Sequence, residues 1–400
     1  MSQLVDRVLC QMQRVIATVS AVWHRDRVQE RPVSWVVGPY EIASIVMNVA
    51  RAIPDSYAVA LQPHPFYPGP YDLQIPGRRG DWLRAQFRVP WEFGRLAAAA
   101  RGFVYVGADG FLPSGFDERA WEFGFLRRRG VTVACLFTGS DIRSPARMRA
   151  WQAATGIENI VTYLDQVSPV LASPGYDEKR RRIAAVADQH ADVIFNAAVD
   201  QLSYLEGPTE PFPYFFPDDD LVLDGDKHVA QGPRLVVHAP SSPIIKGTQV
   251  VRAAVQRLKS EGFAFEYREL LGVPHAEVMA SLREAHIVLN EFYAFVPGVF
   301  GVEAMASNCA LLTRADETIE TDLPPGSNAA WMVTTAADIY TNLRRLLEHP
   351  EQIRAQAAAG LDWVRRHATV SVSGARIRQV LEAAREKPRA QSAAEPKPQL

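Results

Sequence analysis

The feature that most constrains the fold is the alternation of short apolar runs with longer stretches of helical periodicity. Apolar runs separated by helices are typical of parallel strands that are covered on both faces. The alternation occurs twice, before and after residues 207–231, where proline, glycine and aspartate are dense. Such a segment cannot continue a helix or a central strand, so it predicts an interdomain linker. We therefore expect an α/β protein with two doubly wound domains.

The predicted elements follow this alternation in both halves. Five strands are predicted in each half, at 34–37, 57–61, 102–106, 131–137 and 192–195, and then at 234–238, 264–270, 287–289, 310–313 and 331–333. Helices are predicted at 41–51, 118–129, 146–154, 178–189, 248–260, 275–284, 299–307, 336–347, 351–367 and 373–385.

The elements divide into a first domain at 1–206 and a second domain at 232–368. A last helix at 369–386 is expected to cross back to the first domain. The tail at 387–400 carries almost no large apolar residue, so it is expected to be disordered.

Composition excludes several classes of protein. The 400 residues are 48% hydrophobic, which suits two globular domains, and the net charge of −2 gives no electrostatic reason to expect nucleic-acid binding. Cys10, Cys135 and Cys309 lie far apart and are odd in number, which indicates reduced thiols and a cytoplasmic protein. No apolar run approaches the length of about 20 residues that a membrane-spanning helix needs.

The N-terminal segment has the periodicity of an amphipathic helix. Its apolar residues recur at helical spacing from Leu4 to Trp23, and arginines such as Arg7 and Arg14 lie elsewhere around the helix. Amphipathic helices usually cover a core, so packing against the protein's own body is the favoured interpretation. Peripheral contact with the inner face of a membrane is the alternative.

A glycine-rich loop opens the helix predicted at 299–307. Pro297 and Gly298 follow the strand at 287–289, and Glu303 lies one turn into the helix. The first amides of a helix have no partner within it and lie at the positive end of its dipole, where they suit phosphate. A glutamate close by can accept hydrogen bonds from sugar hydroxyls. This combination suits a nucleotide sugar.

A second loop carries Lys246 and Gly247, between the strand at 234–238 and the helix at 248–260. Lysine supplies a point charge for phosphate oxygens, and glycine allows close backbone approach. A solvated lysine at a helix start is the alternative. The glycine-rich loop favours the functional interpretation, because both loops follow strand ends, where open α/β sheets bind ligands.

The two motifs, with the lysine loop first and the glycine-rich loop second, resemble those in the donor-binding domain of GT-B glycosyltransferases. The resemblance is strongest to the retaining group called family 4 or group 1. Those proteins carry a Lys-Gly pair after the domain's first strand and a glycine-rich loop leading into Glu-Ala-Met-Ala, as 246–247 and 298–306 do here. The segment at 139–143, Gly-Ser-Asp-Ile-Arg, is similar to one in bacterial members. The resemblance implies a GT-B fold, with two Rossmann-like domains facing across a cleft.

The resemblance also implies an activity. A sugar would move from a nucleotide diphosphate sugar to a glycan, lipid-linked or small-molecule acceptor held by the first domain, with retention of configuration. Neither a metal nor another cofactor is implied, since lysine and a helix dipole can stabilise the departing diphosphate.

Site residues follow from the same resemblance. Lys246 would bind the diphosphate and Glu303 the ribose hydroxyls. The remaining donor-binding positions would be Gly38, Gly247, Gly298, Val299, Phe300 and Gly301. Asp141 and Asp109 are the best cleft-facing carboxylates for catalysis, although each could equally be a helix cap or turn residue.

One position departs from the family pattern. Family members commonly have two glutamates eight residues apart in this loop, and the partner position of Glu303 is Phe295. Glu291 could substitute if the loop doubles back. The departure leaves two other hypotheses open, namely a noncatalytic GT-B-like subunit that binds a nucleotide sugar or a partner, and a nucleotide-sugar epimerase.

Overall fold

The computed structural model describes residues 2–26, 33–62, 64, 66–67, 69–75, 81–112, 116–223, 226–229 and 232–386. These residues form two α/β domains, each built on a parallel sheet. The tail expected to be disordered, 387–400, lies outside the described residues.

The first domain contains a six-stranded sheet in the order β3-β2-β1-β4-β5-β6. Its strands are β1 Trp35–Pro39, β2 Tyr57–Ala60, β3 Leu73–Gln74, β4 Gly102–Val106, β5 Thr132–Leu136 and β6 Val193–Phe195. Its helices are α1 Ser2–Trp23, α2 Ile45–Ala52, α3 Asp81–Ala99, α4 Ala120–Arg127, α5 Pro145–Thr155, α6 Leu164–Val167 and α7 Pro174–His190. Every residue of β1, β4 and β5 is buried, as expected for strands covered on both faces.

Three elements of this domain are absent from the sequence prediction. α6 is a helix of four residues, too short to show helical periodicity. β3 is an edge strand of two residues, too short to produce an alternating pattern. α3 contains Pro90, which is read from sequence as a helix breaker.

The second domain contains a five-stranded sheet in the order β11-β10-β9-β7-β8. Its strands are β7 Arg234–His238, β8 Phe265–Glu269, β9 Ile287–Leu289, β10 Ala310–Thr313 and β11 Met332–Val333. Its helices are α8 Thr248–Ser260, α9 His275–Glu284, α10 Gly298–Ala306, α11 Ile339–Glu348 and α12 Pro350–His367, followed by α13 Val370–Glu386.

Two segments of the chain pass from one domain to the other and lie side by side, the first at Phe215 and Phe216 and the second at Ala368 to Val370. In the first segment, Phe215 packs into the core of the first domain and Phe216 into that of the second. The second segment leads into α13, whose Ile377 and Leu381 are buried in the first domain. The segments are hydrogen-bonded to each other, because the Phe216 amide donates to the Ala368 carbonyl at 2.7 Å and the Val370 amide donates to the Phe216 carbonyl at 2.8 Å. The interdomain connection is therefore packed into both cores.

Helix α1 packs on α3 through its small and polar residues and not through its large apolar ones. Its buried residues are the small or polar Cys10, Gln13, Ala17, Ser20 and Ala21, whereas seven large apolar residues between Leu4 and Trp23 are exposed. The expectation that the apolar stripe packs against the protein's own body is therefore wrong. No helix in the described part of the chain is long and apolar enough to cross a bilayer.

Candidate active site

A cleft of about 710 Å³ lies between the two domains, at the carboxyl ends of their strands. The first domain contributes Tyr67, Thr138, Gly139, Ser140 and Arg143 to its lining, and the second contributes Ser241, Ser242, Lys246, His275, Glu291, Gly298, Val299, Phe300 and Glu303. Lys246 and Glu303, which come from motifs far apart in sequence, therefore face the same cleft.

Lys246 is held by a carboxylate. Its Nζ lies 2.8 Å from Oε2 of Glu291, and both side chains are largely buried. Glu291 follows β9 and Lys246 precedes α8, so the ends of neighbouring elements bring the pair together. The pair keeps a cation and an anion at one point of the cleft wall, where a phosphate can compete for the ammonium group.

The start of α10 adjoins this pair. Gly298 has a φ of +64°, and a Cβ at this position would lie 3.0 Å from Oε1 of Glu291. Pro297 precedes the helix without a side-chain cap, and Val299 and Phe300 line the cleft. The amides of these two residues belong to the first turn, which has no acceptor within the helix. They can therefore donate to an anion in the cleft.

Gly301 and Gly247 do not face the cleft. The Gly301 amide donates to the Pro297 carbonyl at 3.2 Å, so it is already used within the helix. A Cβ on Gly301 would lie 2.9 Å from Asn290 Nδ2, which shows that close packing accounts for this glycine. Gly247 is buried with a φ of +74° and would place a Cβ 3.4 Å from Tyr293. It allows the turn that begins α8 rather than lining the cleft.

Glu303 is paired with a histidine. Nε2 of His275, at the start of α9, lies 2.7 Å from Oε1 of Glu303. Burial opposes the charged imidazolium, but the hydrogen bond and charge of Glu303 raise the pKa of His275 above its usual value. The ring of Tyr67, from the first domain, lies 4.9 Å from that of His275. Burial and the charge of Glu303 raise the pKa of Tyr67 to about 12, so its hydroxyl stays neutral.

Phe295 is buried against the first domain. Its ring lies 5.2 Å from that of Trp151 in α5, and its amide donates to Oδ1 of Asp200 at 2.8 Å. Arg143 binds the other carboxylate oxygen of Asp200 at 2.6 Å. The position that holds a glutamate in the family pattern is therefore an interdomain packing position here. The loop carboxylate beside Lys246 comes from Glu291 instead.

A second carboxylate also joins the domains. Glu320, from the second domain, accepts hydrogen bonds from the amides of Ala198, Val199 and Asp200 at 2.7 to 2.9 Å. Burial raises the pKa of Glu320 to about 7, although these amides oppose the rise. The loop that carries Asp200 is therefore held by the second domain from two sides.

The three remaining residues predicted for the site are Asp141, Asp109 and Gly38. Asp141 accepts from the amides of Thr138 and Gly139, the latter at 2.7 Å, so it shapes the loop that lines the cleft. Burial raises the pKa of Asp141 despite these bonds. Asp109 is exposed and lies outside the lining. Gly38 lies within β1, where a Cβ would be 2.5 Å from the Val59 carbonyl, so strand packing explains it.

The sequence did not predict the contacts of four residues at or beside the cleft: Tyr67, Asp200, His275 and Glu320. Each acquires its role through a residue distant in sequence, and no local pattern indicated these contacts. Among the described residues, no cluster of three histidine, cysteine, aspartate or glutamate side chains could hold a metal ion.

Comparison with known proteins supports the fold. Residues 248–382 match the family model described as glycosyl transferase-like. Sucrose-phosphate synthase from Thermosynechococcus elongatus superposes with a TM-score of 0.55 at 12% identity, covering 88% of this chain and 99% of that one. No curated protein matches the sequence.

Two other solved structures have lower scores. A putative UDP-N-acetylglucosamine 2-epimerase from Listeria monocytogenes gives a TM-score of 0.47 at 13% identity, over 90% of this chain and 98% of that one. The glycosyltransferase SnogD from Streptomyces nogalater gives 0.37 at 12% identity, over 88% of this chain and 100% of that one. The two parallel-sheet domains and the superposition on sucrose-phosphate synthase identify the GT-B fold, and residues 248–382 resemble the glycosyl transferase-like family.

Proposed function

We propose that the protein is a glycosyltransferase that transfers a sugar from a nucleotide diphosphate sugar to a glycan, lipid-linked or small-molecule acceptor. The family match supports sugar transfer as the class of activity. The observation that carries the proposal is the convergence of Lys246, Glu303 and the first turn of α10 on one interdomain cleft.

The proposed donor complex uses these groups in distinct roles. The oxygens of the diphosphate replace Glu291 as the partner of Lys246. The amides of Val299 and Phe300 donate hydrogen bonds to the same diphosphate. The ribose hydroxyls donate to Glu303, whose carboxylate is already oriented by His275. The acceptor enters from the first domain, beside the loop formed by Gly139 and Ser140.

The proposed chemistry requires stabilisation of the leaving group. When the bond from sugar to diphosphate breaks, negative charge accumulates on the diphosphate, and the ammonium group and helix dipole stabilise it. No metal is required for this role. Retention of configuration is the stereochemical outcome proposed, with the departing phosphate taking the acceptor proton.

Calorimetric titration of UDP, GDP and ADP tests the binding site. The wild type is expected to bind one of them, and Lys246→Ala and Glu303→Ala are each expected to weaken that binding at least about tenfold. Lys259→Ala and Glu277→Ala, on exposed helix surfaces, are the matched controls and should bind as the wild type does. Unchanged affinity in both cleft variants would refute the site.

Incubation with a panel of nucleotide sugars then tests the activity. Slow release of nucleoside diphosphate, lost in Lys246→Ala, supports the transferase. Binding without turnover favours the noncatalytic subunit that the burial of Phe295 suggests. Isomerised donor without an acceptor would identify an epimerase.

A further inference from the structure

The outward face of α1 is apolar. Leu4, Val5, Val8, Val15, Val19, Val22 and Trp23 form this α1 apolar face and are each between 53% and 69% exposed. Within it, positions 4, 8, 15, 19 and 22 recur at spacings of three, four and seven, so they lie along one side of the helix. Apolar residues scattered singly on a surface are ordinary, but a continuous row on one helix marks an interaction site.

The inward face of α1 shows that this orientation is built into the packing. Ser20 Oγ donates to the Trp91 carbonyl at 2.6 Å, and Gln13 is hydrogen-bonded to Gln86 of α3. A Cβ on Gly94 would lie 2.2 Å from the Ala17 carbonyl, so the two helices approach closely through small residues. Rotating α1 to bury its valines would break these contacts. The helix is thus fixed with its apolar side outward.

Helix α3 extends the same surface. A shallow groove beside the α1 apolar face is lined by Val15, Ile16, Val19, Arg84, Phe87, Arg88 and Trp91. Two of these residues are arginines, and none is acidic. Phe87 is 55% exposed, and Trp91 is also exposed. An apolar face with aromatic side chains and flanking arginines is the composition that binds the interface of an anionic bilayer.

We propose that α1 and α3 dock on an anionic lipid bilayer, with the α1 apolar face inserted among the acyl chains and Arg84 and Arg88 at the phosphates. The charge pattern selects this occupant over a second copy of the chain. Apposing two such grooves would bring four arginines together without a carboxylate among the lining residues. Anionic headgroups supply the missing negative charge.

Flotation with lipid vesicles tests the proposal. The full chain is expected to float with vesicles of phosphatidylcholine and phosphatidylglycerol and much less with phosphatidylcholine alone. Val15→Asp/Val19→Asp is expected to reduce the floated fraction at least about tenfold. The matched control is Val170→Asp/Val229→Asp, which alters two exposed valines away from α1 and should float as the wild type does.

A second variant keeps the test independent of any change in α1. Arg84→Glu/Arg88→Glu retains the α1 apolar face and is expected to lose the preference for anionic vesicles. Circular dichroism and thermal unfolding check that each variant is folded. The proposal is overturned if the wild type fails to float with anionic vesicles or if both variants float as it does. It is equally overturned if lipid-free protein is a dimer that Val15→Asp/Val19→Asp separates, since the face then belongs to a second copy.

Discussion

Glu291 Oε2 lies 2.8 Å from Lys246 Nζ, and this carboxylate comes from a position four residues before Phe295, where the family pattern has its first glutamate. The loop after β9 thus supplies its acidic side chain from an earlier point. The shift keeps a carboxylate at the cleft while Phe295 is used for packing against the first domain.

Glu291→Gln tests whether this carboxylate takes part in turnover. The amide keeps a hydrogen-bond acceptor for Lys246 but removes the negative charge that competes with phosphate. We expect the carboxylate displaced from Lys246 to stay in the cleft wall and to stabilise positive charge on the transferred sugar, so steady-state kinetics with the donor that the panel selects should show kcat lowered at least about tenfold. Calorimetry should show nucleoside diphosphate affinity unchanged or increased. Glu269→Gln, which alters an ion pair with Arg252 outside the cleft lining, is the control. Unaltered kcat in Glu291→Gln would remove Glu291 from the reaction.

Gly298→Ala tests the approach of the helix start to Glu291. A left-handed φ costs an alanine about 1 to 2 kcal/mol, and its Cβ would also lie 3.0 Å from Oε1 of Glu291. Gly326→Ala is a matched control, with a φ of +82° and nothing within 4 Å of the added Cβ. Urea unfolding should show similar losses of stability in both variants, whereas calorimetry should show weaker nucleotide binding only in Gly298→Ala. Equal affinities would contradict a ligand role for this helix start.

Phe295→Glu tests whether restoring the family residue restores a site. The carboxylate would be buried beside Asp200 and Trp151, so we expect a loss of at least about 3 kcal/mol in the free energy of unfolding and no gain in turnover. Phe116→Glu, at a position 59% exposed, should be nearly neutral in the same urea titration. A stable Phe295→Glu protein with higher turnover would show that position 295 belongs to the active site.

The pair of His275 and Glu303 predicts a pH dependence. The folded-state pKa of His275 lies above the ordinary value of 6.5, so the imidazolium binds its proton more tightly in the fold. The resulting stabilisation is fully present below pH 6.5 and is lost as the pH rises through the folded-state pKa. Urea unfolding across this range should show the decline in the wild type. In His275→Asn the part of the decline that lies above about pH 7 should be absent, while the fall at lower pH that Glu320 causes should remain. A decline above pH 7 that persists in this variant would belong to another group.

Glu320→Ala tests the contact that holds the Asp200 loop. Three amides, of which that of Asp200 is buried and the other two partly buried, would lose their acceptor, and we expect a loss of about 3 kcal/mol in the free energy of unfolding. Glu348→Ala, on the exposed surface of α11, should change stability by less than about 0.5 kcal/mol.

The raised pKa of Glu320 also makes the free energy of unfolding depend on pH, here because burial favours a neutral carboxyl group. Because the folded-state pKa of Glu320 is raised from 4.5 to about 7, the fold holds a proton that the unfolded chain releases. Its contribution to stability therefore falls as pH rises from 4.5 through about 7. The fall should disappear in Glu320→Ala, and an identical pH profile in the two proteins would exclude Glu320 as its source.

Much of the fold could be predicted because local patterns determine it. The strands 102–106, 234–238, 287–289 and 310–313 and the helices 248–260 and 275–284 have the predicted bounds. In contrast, α3 was missed because Pro90 is tolerated inside it. Periodicity predicted α1 as a helix with one apolar side, but which side faces the body depends on its contacts with α3.

The candidate site was predictable only where a motif carries its own chemistry. The loops of Lys246 and Glu303 pointed to the cleft because glycine, lysine and glutamate occur there in a recognisable order. Glu291 was expected from sequence only as a substitute for the missing glutamate. Its pairing with Lys246, like the pairing of His275 with Glu303, depends on geometry between elements 45 and 28 residues apart. Gly38 and Asp109 are of residue types that suit such a site, but Gly38 is packed within β1 and Asp109 lies outside the lining of the cleft.

The anchoring of the adjacent rings of Phe215 and Phe216 in different domains determines how the cleft can change width. A rotation of one domain against the other about the peptide that joins these two residues, and about the crossing at Ala368 to Val370 that is bonded to it, would leave both rings in their cores. Side chains next to this axis, such as Tyr214, then move little. Those at the far rim of the cleft would move most, so a change of cleft width would be largest there.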